Sequence, residues 1–459
     1  MVQETSSCAS DLVGPKTKVR PRIVILGGGW SGLSAALHLS HDPRLEITIL
    51  EAAPQAGGRA RGLNWQANVG TVPIDNGQHL ILGAYGETFS LLREAGALNR
   101  WESGPMAWAC PHDSKDQWLW QSIPSIGFPW RILLADVYAR RPVGFASWPM
   151  PWRVSMVQVI LRAYRQRWSA RGTAQAWFAP NTPPPLIEKF WRPMVEGALN
   201  TEFESASAAV FLQILRNTLA GPRGATDCWH PKKNLGEAAI DPLIALACAR
   251  GVGIKTGTRG LRIGNHSVES SQGAIPFDHL VLALPARECR RLWQQSPLPA
   301  TAESERWASV ETRGIATLWA LQNTRGSHLP SSRLDCSRGH LILHRPPGAW
   351  GQVHAAVHSA IQPASDWEVA EDALRRSVPS PLTESITETR LTHERHATWA
   401  CTAEAVDTGQ AWGVPQTGVA RVWRAADDMA IGFPATIESA VIGGRLCAQA
   451  IQKSFSNAS

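Results

Sequence analysis

The sequence predicts an α/β protein in which a Rossmann-like dinucleotide-binding domain is interrupted by an α+β domain. Three observations lead there. An apolar run, Arg22-Ile-Val-Ile-Leu26, opens directly into Gly27-Gly-Gly-Trp-Ser-Gly32 and a second apolar run. Strand and helix patterns of the same kind return around Leu235, after a long Trp- and Pro-rich stretch of different character. Near the end, Ala425-Ala-Asp-Asp-Met-Ala-Ile-Gly432-Phe-Pro-Ala-Thr-Ile-Glu438 leads from a polar turn into one more helix.

Residues 22–26 are continuously apolar after the arginine, as a strand buried on both faces requires. Leu33-Ser-Ala-Ala-Leu-His-Leu39 reads as the helix that follows. Between them Gly27, Gly29 and Gly32 fit G-x-G-x-x-G: the first permits a tight turn, the second a close approach of backbone to a pyrophosphate, the third close packing of helix on strand. Trp30 and Ser31 fall at the helix N-terminus, where unpaired N–H groups and the dipole favour an anion. The second strand, Leu45-Glu-Ile-Thr-Ile-Leu50, delivers Glu51 to a position where a carboxylate accepts from ribose hydroxyls, which argues against the 2′-phosphate of NADP. Further on, a helix is expected near Glu237–Arg250, strands at Gly253–Thr256 and Phe277–Leu284, strand-like runs at 315–321, 341–344 and 351–357, and a helix over 366–377. Residues 1–20 read as a disordered leader. The dinucleotide-binding domain takes 21–95, 228–299 and 418–455; the second domain takes 96–227 and 300–417.

Composition is that of a globular chain, with 44% hydrophobic and 18% charged residues and a formal charge of +7. No signature of nucleic-acid binding accompanies the basic balance, so no nucleic-acid partner is expected and an anionic membrane surface fits better. The eight cysteines are scattered without a C-x-x-C pair, as expected of reduced cytosolic thiols. The polar first twenty residues lack the apolar core of a signal peptide, and no run reaches the ~18 apolar residues of a membrane-spanning helix. A cytoplasmic protein, peripheral at the inner face of the membrane, is expected. Residues 117–178 are the expected membrane-facing part, with eight Arg, one Asp and seven Trp. Within them Val154, Val157, Leu161, Tyr164 and Trp168 form one stripe at helical spacing. The pairs His340/His344 and His354/His358 lack a carboxylate or cysteine to complete a ligand set, so no metal site is expected.

The segments Val24–Gly32, Gly57-Gly-Arg-Ala-Arg61 and Asp427–Ala440 resemble the flavin-containing amine oxidase and phytoene desaturase superfamily. Val72-Pro-Ile-Asp-Asn-Gly-Gln-His-Leu-Ile-Leu-Gly-Ala-Tyr85, Ala198-Leu-Asn-Thr201 and Ala206–Leu212 are similar to its squalene-associated branch, the hydroxysqualene dehydroxylase family of hopanoid biosynthesis. The resemblance runs from about residue 22 to 452, and the D-N-G-Q-H block is its most specific part. Where the family usually has Gly-Asp, this chain has Ala426-Asp427.

That resemblance implies FAD as cofactor and a Rossmann-like FAD-binding domain carrying an inserted α+β substrate-binding domain. Gly58 and Arg59 would meet the pyrophosphate and Asp427 a ribityl hydroxyl. Ala435, Thr436 and Ile437 would bring a helix N-terminus to the flavin ring, and Gln78 would lie beside it. The implied reaction removes an allylic hydroxyl from hydroxysqualene as water and replaces it with hydride from reduced FAD. A dry pocket and a general acid are then needed. His79 and Asp75 are the candidate acids in the D-N-G-Q-H block, with a group from the second domain or a bound water as alternatives. In the other reading of that block, Asn76 and Gln78 hold flavin carbonyls and His79 packs. A single G-x-G-x-x-G leaves no second unit for NADPH, so an external electron donor is expected. An oxidative desaturase or amine oxidase on the same fold is one rival, a prenyl-lipid carrier without catalysis the other.

Overall fold

A computed structural model describes residues 20–109, 119–121, 149–167, 169–322, 333–337, 340–365, 367–377 and 385–456. The expected leader up to residue 19, Arg131, Asp136, Arg140, Arg141 and Trp168 lie outside the described residues.

The continuous apolar run forms β1 (Arg22–Leu26), with Ile23 and Ile25 fully buried. It is the centre of a five-stranded sheet ordered Gly253–Lys255, β2 (Glu46–Leu50), β1, His279–Leu282, Val422–Arg424. Every pairing is parallel, so the connections cross over the faces of the sheet, and the central strand β1 is apolar and buried after its arginine. Helix α1 (Trp30–Leu39) connects β1 to β2 and packs against the C-terminal helix Ile437–Ser456. The two helices approach as closely as backbone allows: a Cβ at Gly444 would lie 2.3 Å from the Ser31 carbonyl oxygen. One at Gly443 would lie 2.0 Å from that of Ala426.

The second large sheet has seven strands in the order Ile386–Trp399, Thr312–Gln322, Gln352–Ile361, His340–His344, Arg333–Ser337, Ala107–Ala109, Leu119–Gln121. Its pairings are antiparallel except between Arg333–Ser337 and Ala107–Ala109. Helix Trp367–Ser377 covers one face, where Trp367 and Leu374 pack on Ala316, Leu318, Ile342 and Ala356. Helices Met150–Arg165, Arg192–Leu199 and Ala208–Leu219 gather on the other side, in one apolar cluster with Leu334, Leu343 and Val357. The edge strand Ile386–Trp399 is absent from the sequence expectations. Its charged and polar residues leave no apolar run to signal it, and a sheet edge tolerates them because one side faces solvent. The four histidines pair across strands, not along them: His344 Nδ1 lies 2.7 Å from His354 Nδ1, and His340 Nε2 lies 3.2 Å from His358 Nδ1.

A hairpin, Gly62–Ala67 with Gly70–Asp75, joins the two sheets. Trp65, Val72 and Ile74 pack on Trp319, Leu321, Val353 and Ala355 of the larger sheet. At the hairpin's end the fully buried Asp75 meets Arg345 at 2.5 Å, directly after strand His340–His344.

A second buried charge cluster anchors the end of the parallel sheet. Arg424 donates to Asp428 at 2.7 Å and to Glu303 at 3.3 Å. Arg306 donates to Glu303 at 2.7 Å and to Asp428 at 2.8 Å. Burial pushes the Asp428 carboxyl up, but Arg424 and Arg306 outweigh it and hold the group below the ordinary carboxylate value. A carboxyl lowered on folding contributes stability that is complete above its unfolded value, about 3.9, and is lost as pH falls through the folded one. Asp428→Asn should therefore cost about 3–5 kcal/mol at neutral pH, by leaving buried arginine charge uncompensated. The gap to the wild type should narrow as pH falls below about 4; urea unfolding at a series of pH values checks both. Gly444→Ala should force the two helices apart at a cost of about 1–3 kcal/mol, with lower flavin content on purification as the readout.

Candidate active site

The glycine-rich turn is shaped by contacts that exclude side chains. Gly27 has φ +107°, and a Cβ there would lie 2.3 Å from the Ala283 carbonyl oxygen. A Cβ on Gly32 would lie 2.0 Å from that of Gly27, so Gly32 serves helix–strand packing behind the cavity wall. Gly29 forms a parallel bridge to Gly57, and a Cβ on Gly58 would come within 3.1 Å of the Gly29 Cα. The two glycine segments thus run side by side as bare backbone. Glu51, at the end of β2, is fixed by Gly28 N–H to Oε2 at 2.7 Å and Ala53 N–H to Oε1 at 2.8 Å. Trp30 Nε1 donates to the Ala60 carbonyl and Ser31 Oγ to that of Ala425, locking the start of α1 to both neighbouring segments.

From the other side comes the C-terminal helix, with a reciprocal cap: Ser439 N–H donates to Thr436 Oγ1 at 3.1 Å and Thr436 N–H to Ser439 Oγ at 2.8 Å. Ala435, Thr436 and Ile437 line the cavity there, as does Asp427. Arg59 bridges the two sides, its Nη2 donating to Asp427 Oδ2 at 2.9 Å and its Nη1 to the Ala397 carbonyl at 2.7 Å. The resemblance gave Arg59 and Asp427 separate partners; in the fold they also bind each other.

Asn76, Gly77, Gln78 and His79 form one wall. Asp75 does not. Its Oδ2 pairs with Arg345 and its Oδ1 accepts the Leu235 N–H at 2.7 Å, with the side chain fully buried. The expectation of Asp75 as a proton donor does not fit this placement: its carboxyl faces Arg345 and the Leu235 N–H and not the cavity. His79 does line the cavity, but burial pushes its pKa down, favouring neutral imidazole. Its Nε2 lies 3.3 Å from the Asn76 carbonyl oxygen, so the proton it holds there faces backbone. Gln78 donates through Nε2 to the His79 carbonyl, while its Oε1 is buried without a hydrogen-bond partner. Tyr85 also lines the cavity, and burial pushes its phenol above the ordinary range, keeping it protonated.

Beyond this wall the same cavity widens into an apolar chamber. Phe190, Trp191 and Phe211 line it from the helical side, and Trp108, Leu334, Leu341, Leu343 and Val357 from the larger sheet. The cavity has a volume of about 590 Å³, within the ~300–1,000 Å³ usual for a small-ligand site. Asn200, at φ +47°, ends helix Arg192–Leu199 and ties it to the sheet through Ala360 N–H (2.6 Å) and Thr398 Oγ1 (2.8 Å). Sequence reading singled out Asn200 only within a matching segment. It missed Glu394, which lines the cavity from the edge strand and accepts from Asn76 Nδ2 at 3.1 Å. The β-branched Ile386, Thr387, Thr389 and Thr392 hint at a strand, but at spacings too irregular to read as one.

These residues fit FAD. Bare backbone suits a pyrophosphate, a fixed carboxylate would accept from a ribose, and a capped helix N-terminus would favour an electron-rich ring. The unpaired Gln78 Oε1 suits a ring N–H.

The comparisons with known proteins agree. Residues 30–452 match the flavin containing amine oxidoreductase family. The chain is 25% identical to hydroxysqualene dehydroxylase of Sinorhizobium fredii over 92% of its own length and 96% of that protein's. It is 27% identical to hydroxysqualene dehydroxylase of Zymomonas mobilis over 278 residues, 57% of this chain and 61% of that one, so this match spans less than two thirds of the relative. In three dimensions it is similar to an oxidoreductase from Methanosarcina mazei, with TM-score 0.71 at 15% identity over 94% of this chain and all of that one. It is also similar to cyclohexylamine oxidase of Brevibacterium oxydans, with TM-score 0.63 at 15% identity over 95% of this chain and all of that one. The chain belongs to the flavin containing amine oxidoreductase family, and it is an FAD-dependent oxidoreductase with hydroxysqualene dehydroxylases among its relatives.

Proposed function

We propose that the protein removes the allylic hydroxyl of hydroxysqualene reductively, giving squalene for hopanoid biosynthesis. One observation carries this reading beyond the relatives' names: the glycine-lined cradle and the hydrocarbon-lined chamber are one continuous cavity. A long isoprenoid held in the chamber can present a single carbon to the cradle without leaving apolar surroundings.

Gly27, Gly29 and Gly58 would face the pyrophosphate with backbone, with Arg59 adding charge. Glu51 would accept from the ribose and Asp427 from the ribityl chain. Gln78 and the helix N-terminus at Thr436–Ile437 would hold the ring. When bound and reduced, the flavin supplies the hydride that this chemistry consumes. The aromatic and aliphatic chamber walls keep water from an allylic cation. His79, neutral and bonded to Asn76, is assigned to holding the wall in shape. A separate electron donor belongs to this reading.

Helix Met150–Arg165 adds a membrane contact. Met156 and Ile160 line the cavity, whereas Met150, Val154, Leu161 and Tyr164 are 68, 49, 46 and 60% exposed. Core packing is made by Trp152, Met156, Val159, Ile160 and Ala163 instead. The outward stripe, flanked by Arg153 and Arg165, suits the anionic inner face of a membrane, and the helix separates that surface from the chamber.

An oxidative desaturase or amine oxidase is the second reading, supported by the likeness to cyclohexylamine oxidase. Anaerobic single turnover separates the two. Photoreduced enzyme mixed with hydroxysqualene should return to the oxidised flavin spectrum with stoichiometric squalene. A flavin that stays reduced, but is bleached from the oxidised state by a saturated isoprenoid or an amine, would overturn the main reading. For the membrane contact, Val154→Glu with Leu161→Glu should weaken co-sedimentation with anionic vesicles about tenfold. Turnover of detergent-dispersed substrate should be unchanged.

A further inference from the structure

We propose that Glu394 is the catalytic acid that protonates the leaving hydroxyl; this rests on the dehydroxylase reading above. The edge strand places Glu394 opposite Ile315, which also lines the cavity, while the alternating neighbours His393 and Arg395 face solvent. Thr392 and Glu394 therefore share the inward face. The position is the junction of the two halves of the cavity. Asn76 Nδ2 donates both to the Arg59 carbonyl and to Glu394 Oε2, each at 3.1 Å, and Arg59 reaches on to Asp427.

The other carboxyl groups on the cavity wall are committed. Glu51 holds two backbone N–H groups and Asp427 is paired with Arg59. Glu394 makes no ion pair among the described residues, so no arginine depends on its charge, and its printed partner is the Asn76 amide. The Asn76 amide engages one oxygen as an acceptor and leaves Oε1 to carry a proton.

The step balances. The Glu394 O–H bond breaks as the proton joins the hydroxyl oxygen. The C–O bond then breaks with both electrons going to oxygen, and water departs. An allylic cation remains beside the Glu394 carboxylate, which stabilises it at short range. Hydride supplied by the reduced cofactor completes the product, and solvent returns a proton to Glu394.

Two measurements on the FAD-loaded protein test this. The first is calorimetric binding of an amine analogue, with a protonated nitrogen at the carbinol position of hydroxysqualene, against squalene as the neutral control. Glu394→Gln should weaken the ammonium analogue at least about tenfold and leave squalene binding unchanged. The second is the anaerobic single turnover. Glu394→Gln should slow dehydroxylation at least about 100-fold with flavin content intact, Glu394→Asp should recover part of the rate, and the wild-type fall in rate with rising pH should vanish in Glu394→Gln. Unchanged analogue binding, turnover within a few-fold of wild type, or loss of FAD from Glu394→Gln would each overturn the assignment while leaving the substrate in place. A wild-type enzyme inert to hydroxysqualene would instead overturn the dehydroxylase reading, and the assignment with it.

Discussion

The buried pair of Asp75 and Arg345 is the joint on which the two sheets are set against each other. Asp75 ends the hairpin that leaves the dinucleotide-binding side, and Arg345 follows a strand of the larger sheet. Arg345 also donates to the Lys233 carbonyl, and Asp75 accepts the Leu235 N–H, so the pair draws in a third segment. Two charges at 0 and 3% exposure carry a large desolvation cost, recovered only because each finds further polar partners. An apolar pair could hold the sheets equally well. What the ion pair adds is a fixed register, and Asn76–His79 begin one residue beyond it.

The opposite end of the site is fixed by the same kind of device. Arg424, Arg306, Glu303 and Asp428 alternate in charge within one buried cluster. That cluster sets the backbone of Ala425–Met429, hence the place of Asp427, next to the near-contact of Gly443 with Ala426. The residues of the cradle are thus held by charge on one side and by absent side chains on the other. Neither depends on the apolar cores, which leaves the chamber between them free to be lined with hydrocarbon.

That lining has consequences for protons. His79 lies where a donor would be useful, yet burial costs it the charged form, and its proton points to the Asn76 carbonyl. Carboxyl groups respond to the same burial in the opposite sense, because their neutral form is the protonated one. A chamber dry enough to protect a cation therefore favours a carboxylic acid over an imidazolium as donor.

How much was legible beforehand follows from the range of each interaction. The β1 strand, the glycines, Glu51, α1 and the C-terminal helix cap are set by neighbours in sequence, and the residues that make them are diagnostic types. The FAD assignment came from those segments together with a resemblance that spans the chain. The edge strand Ile386–Trp399 was not legible, because its polar residues pair with a sheet whose partners are far away in sequence. Nor was the partner of Asp75, 270 residues distant, and without it Asp75 stood beside His79 as a candidate acid. The sequence by itself determined the fold class, the glycine-rich turn with Glu51 and an amphipathic, arginine-flanked helix, since each is written in local spacing. The tertiary structure alone decided which carboxyl groups are free to act, because burial and ion pairing are properties of surroundings that no spacing encodes.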